Sequence, residues 1–146
     1  MLNLDLPADG AQLAHVRDVA RRWADEQSVS EWPLTLVLTE LAANAIAVSP
    51  PGATVRIVLS LRNGQVEVEV SDRGAGFGNR SVDLDSLDLP PVDQPRGRGL
   101  YLVRQLCSTV SVAREGGVTV VRACPSPSSS TSGSSSADAP PLGRRT

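Results

Sequence analysis

Apolar and polar residues alternate from Leu2 to Leu6 in "LNLDL", the period-two pattern of a strand with one face on a core. The period then lengthens. In "GAQLAHVRDVARRWADEQ", residues 10–27, Leu13, Val16, Val19, Ala20 and Trp23 fall on one side of an amphipathic helix. A second helix is predicted over "EWPLTLVLTELAANAIAV", residues 31–48, with Ser30 as N-cap and Pro33 in the first turn. "TVRIVLSL" reads as a strand, and Asn63-Gly64 is a strong hairpin signal. Its partner strand carries Val66, Val68 and Val70 against Glu67, Glu69 and Ser71.

Periodicity fades after this strand. Residues 78–96 hold Asp83, Asp85, Asp88 and three prolines, which predicts a long loop suited to a ligand lid. "GRGLYLVRQLC" turns helical from its second glycine, and "STVSVAREGGVTVVRAC" gives two strands around Gly116-Gly117. From Pro125 onward serine, proline and small residues dominate without apolar periodicity, so residues 125–146 are expected to form a disordered tail. The order is strand, helix, helix, strand, strand, loop, helix, strand, strand. Hairpins dominate it, so the expected class is α+β: a two-layer α/β sandwich with a mostly antiparallel sheet and helices on one face.

Composition narrows the function classes. The net charge of −2 argues against a direct nucleic-acid surface, which would need a basic patch. All 14 basic residues are arginine. A P-loop requires its Gly-Lys-Ser/Thr and the eukaryotic-type kinase fold its strand lysine, so both nucleotide sites are excluded. Cys107 and Cys124 are far apart in sequence and have no histidine near them, which indicates neither a zinc site nor a disulfide framework. With no membrane-length apolar run and no basic leader, a cytoplasmic protein with no membrane contact is expected.

Two local features ask for a ligand. The strand ending at Ser71 is followed by Asp72, Gly74 and Gly76, a carboxylate and two residues that permit close backbone approach. The second helix is apolar on almost every side, yet it carries Glu40 and Asn44 one turn apart. Burying either without a partner costs roughly one to several kcal/mol. They are expected to share a polar cavity; the alternative is that they mark the solvent edge of the helix.

"ELAAN" on a helix, "DRGAG" after a strand and "GRGL" opening a helix, in this order, resemble the N box and the two glycine boxes of the GHKL ATPases, which include gyrase, histidine kinases and a heat-shock chaperone. The short chain and the run from "VLTELAANAI" to "RGRGLYLVRQL" look most like the anti-sigma factor serine kinases. The resemblance implies a Bergerat-type ATP-binding domain over residues 1–124, with an ATP lid at about 78–96. It implies Mg²⁺ held by Asn44 and the adenine amino group received by Asp72. It also implies backbone approach to the base at Gly74 and Gly76, and phosphates met at the helix opened by Arg96, Gly97, Arg98, Gly99 and Leu100. Glu40 matches the position at which the family's kinases keep a general base or a water-orienting group. Many relatives carry a histidine shortly after the box asparagine, where this chain has Val48.

The expected function is therefore that of an ATP- and Mg²⁺-dependent regulator that binds a sigma factor and phosphorylates a serine on an anti-sigma factor antagonist. Relatives commonly dimerise. Two alternatives stand beside it: a non-catalytic ATP-binding module of a partner switch, and a structural interaction domain whose glycines only make turns. His15 reads as an ordinary helix-surface residue, and Trp23 and Trp32 as core or interface anchors.

Overall fold

The computed structural model describes residues 1–74 and 98–126. The predicted lid, Gly76, Arg96, Gly97 and all but the first two residues of the tail lie outside the described residues. In chain order the elements are β1 (Leu2–Pro7), α1 (Leu13–Gln27), α2 (Leu34–Val48), β2 (Thr54–Arg62), β3 (Gln65–Asp72), α3 (Arg98–Leu106), β4 (Cys107–Glu115) and β5 (Val118–Pro125). The five strands form one antiparallel sheet in the order β1-β2-β3-β5-β4. The expected α+β two-layer sandwich is the observed one.

The period-two pattern decides which face is buried. Leu6 of β1, Val55, Ile57 and Leu59 of β2, and Val68 and Val70 of β3 all face the helices and are almost wholly buried. Opposite them, α1 contributes Val16, Ala20 and Trp23, and α2 contributes Leu34, Val37, Leu38, Leu41, Ala42 and Ala45. The other face of the sheet carries charge, with Arg56 paired to Asp5 at 3.0 Å and Arg122 to Glu69 at 2.9 Å. The β2–β3 hairpin turns through Asn63 and Gly64 at φ of 53° and 78°, the left-handed conformations that an Asn-Gly pair adopts cheaply.

Two local expectations change, and the reading of the tryptophans divides by position. Ser30 does not cap α2: its hydroxyl bonds Trp32 N and Trp32 O in a turn of its own, and the helix begins after Pro33. A side chain that can bond its own neighbouring backbone competes with capping. The two tryptophans part company, Trp23 in the core at 3 % exposure and Trp32 outside at 54 %. The last strand runs one residue past Cys124, and Ser126 N donates to Leu106 O at 2.8 Å, so the folded unit extends slightly into the predicted tail.

Candidate functional site

Register gathers the site. Across β3, β5 and β4 the residues facing the helices run Val68, Ala123, Val110 in one row and Val70, Val121, Val112 in the next. The following row is Asp72, Thr119, Arg114. Two apolar rows thus give way to a polar one at one end of the sheet, where α2 ends and α3 begins to cover it. A cavity of about 40 Å³ lies there, room for a few waters. Its walls are Leu41, Asn44, Ala45 and Val48 of α2, Val70 and Asp72 of β3, Leu100 of α3, and Thr119 and Val121 of β5.

Asp72 is 5 % exposed. Its Oδ1 accepts from Gly74 N at 2.8 Å, and Oδ2 has no partner among the described residues. Burial pushes its carboxyl above the usual 3.8, more strongly than the Gly74 bond and the nearby Arg114 charge pull it down. Asn44 lies on the same cavity, and its Nδ2 is buried with no partner among the described residues.

Gly74 is fixed on three sides. Its N–H meets Asp72, its carbonyl accepts from Arg114 Nη1 at 2.8 Å, and a Cβ built on it would stand 2.1 Å from Val48 O. The close backbone approach read from the sequence is therefore made, among the described residues, to the last turn of α2. A ligand is not needed to explain it. Val48 contributes both the carbonyl that excludes a Cβ and part of the cavity wall.

Glu40 departs from expectation. It is half-buried on α2, it is absent from the cavity wall, and it has no hydrogen bond or ion pair among the described residues. Four positions separate it from Asn44, and 400° of helical rotation sets the two about 40° apart, enough for one to line the cavity and the other not. The shared cavity thus holds Asn44 without Glu40. Arg98 and Gly99 lie in the first turn of α3, and Leu100 packs into the core.

Thr119 and Arg114 belong to the site and are not legible as such from the pattern alone. Thr119 had a signal: it holds an inward position of "VTVVRAC", where its inward neighbours Val121 and Ala123 are apolar. Arg114 had none, since only the strand register brings it to Gly74.

The residues fit the groups that the resemblance implies. The lining chemistry, apolar walls with one buried acceptor, suits the amino-bearing edge of a flat heterocycle. Mg²⁺ is usually held by one or two protein oxygens together with water and phosphates, and Asn44 carries an amide oxygen of that type, while the atom left without a partner among the described residues is its Nδ2. No cluster of three or more His, Cys, Asp or Glu exists among the described residues. Cys107 is buried, and its thiol is pushed up to about 12 by that burial and by nearby Cys124, so it stays protonated. No helix among the described residues is long and apolar enough to cross a membrane.

The histidine kinase-like ATPase domain family matches residues 6–124. A chain of the SiaB–SiaC complex from Pseudomonas aeruginosa has a similar fold, with a TM-score of 0.62 at 13 % identity over 85 % of this chain and 88 % of that one. No curated protein matches the sequence.

Proposed function

The chain belongs to the histidine kinase-like ATPase domain family, and from that premise we propose that it is an ATP- and Mg²⁺-binding regulator of the anti-sigma factor type. On this reading it binds a sigma factor and transfers phosphate to a serine of an antagonist protein. The observation that carries the reading is the buried Asp72 carboxylate on an apolar cavity, beside an Asn44 amide whose nitrogen lacks a partner among the described residues. A chain of similar fold is found in a complex of two proteins, SiaB and SiaC, which supports a protein partner here.

Each residue has a task. Asp72, whose Oδ2 has no partner among the described residues, accepts from an exocyclic amine. Asn44 offers an amide oxygen to the metal. The first turn of α3 offers backbone amides that no preceding turn of the helix pairs, a favourable end for phosphate. Bound Mg²⁺-ATP supplies the phosphoryl group and a metal charge that offsets its oxygens. Glu40 takes the proton of the acceptor hydroxyl.

One observation favours a second reading. Glu40 stands off the cavity wall, and Val48 occupies the position at which many relatives carry histidine. Without a placed base the domain is a non-catalytic ATP-dependent switch. A transfer assay with a serine-bearing antagonist separates the two. Glu40→Gln should slow transfer by on the order of a hundredfold or more while leaving Mg²⁺-ATP affinity nearly unchanged. A wild type that binds ATP and never transfers phosphate establishes the switch instead.

A further inference from the structure

Arg114 lies outside all three sequence boxes, yet one of its nitrogens ties the site together. Nη1 carries two hydrogens and donates to Gly74 O at 2.8 Å and to Thr119 Oγ1. The first bond holds the residue whose N–H orients Asp72. The second occupies a lone pair of the Thr119 hydroxyl, which leaves the hydroxyl proton as the group it can offer. Thr119 is 2 % exposed and lines the cavity, and no bond joins it to Asp72 among the described residues. Among the described residues nothing accepts the hydroxyl proton, which can serve whatever fills the cavity.

The result is a polarised pair, one acceptor at Asp72 Oδ2 and one donor at Thr119 Oγ1, on residues directly opposite each other in β3 and β5. A 6-aminopurine presents the complement on one edge, an amino donor beside a ring-nitrogen acceptor. A 6-oxopurine presents the reverse. We propose that Arg114 is a positioning residue for base selection: without touching the ligand, it fixes through Gly74 and Thr119 which partner of the pair accepts and which donates. The inference rests on the nucleotide reading given above. It adds a residue that the family boxes do not contain.

Arg114→Gln and Arg114→Lys test it, each in the full chain with two readouts. In nucleotide-free protein, exchange of the Gly74 amide measured by NMR should accelerate about tenfold in Arg114→Gln, because the carbonyl clamp on that residue is released. Arg114→Lys, which keeps a charged donor, should recover part of the protection. In titrations with ATP and with inosine triphosphate, which differ at the 6-amino group, Arg114→Gln should lower the preference for ATP by about tenfold, and Arg114→Lys by less. Equal losses for both nucleotides, with the preference intact, would make Arg114 a structural support only and overturn the proposal. Unchanged Gly74 exchange would overturn it as well. If wild type binds neither nucleotide, the nucleotide reading fails and base selection by Arg114 falls with it. That outcome is distinct from a wild type that selects ATP and an Arg114→Gln variant that does so equally well.

Discussion

The two faces of the sheet hold the same kinds of side chain under different physics. On the uncovered face, Arg56 meets Asp5 at 3.0 Å and Arg122 meets Glu69 at 2.9 Å, with both arginine side chains half exposed or more. Water screens such pairs, and each contributes about 0–1 kcal/mol. On the covered face, Asp72, Thr119 and Arg114 form one row, and the carboxylate there is 5 % exposed, with Gly74 N as its one donor among the described residues. Burial makes that charge unfavourable for folding, as the upward shift of its carboxyl records. The outer charges are adequately explained by solubility and modest pairing. The inner one is not, and a cost to folding that is retained at a cavity points to use.

The sharpest way to break this contrast is Gly74→Ala. A methyl group 2.1 Å from Val48 O must push either α2 or the end of β3 aside. Unfolding by denaturant should show a loss of about 1–3 kcal/mol or more, the range for overpacking. A neutral result would mean that the inner row is loosely held.

Next comes Asp72→Asn, which keeps an oxygen for Gly74 N and removes the buried charge. At neutral pH the nucleotide-free variant should be more stable than wild type by about 0.5–2 kcal/mol, as when a functional strain is relieved. The sign with pH follows from the raised carboxyl. The folded wild type binds a proton more readily than its unfolded chain, so it gains stability as pH falls through the folded pKa toward 3.8. The advantage of the variant should therefore shrink on acidification. Melting curves from pH 7 down to 4 check this, and a constant difference would show that the charge is not strained by burial.

The smallest effect belongs to the outer face. Arg122→Ala breaks the 2.9 Å pair with Glu69 and should cost no more than about 1 kcal/mol, less in high salt. A larger loss would erase the distinction between the faces.

Much of this was legible in the sequence. Strand alternation and the Asn63-Gly64 turn specify every described strand, because a period of two leaves one face to bury. The three boxes brought Asn44, Asp72 and Leu100 to one cavity, since each sits at the end or on the flank of an element whose type the pattern predicts. Glu40 shows where spacing alone misleads: four residues bring side chains near one another without giving them the same neighbour. Arg114 shows the other limit. Its place beside Gly74 depends on the pairing of β4 with β5 and of β5 with β3, and register is a property of the assembled sheet.

The central claim is that the buried Asp72 carboxylate receives the amino group of a purine nucleotide. Calorimetric titration of the wild-type chain with Mg²⁺-ATP and Mg²⁺-GTP tests it most directly. GTP carries an acceptor where ATP carries a donor, so two acceptors would face each other in a site shielded from water. ATP should bind saturably, and GTP with an affinity lower by about a hundredfold or more. Equal affinities, or no ATP binding at all, would contradict it.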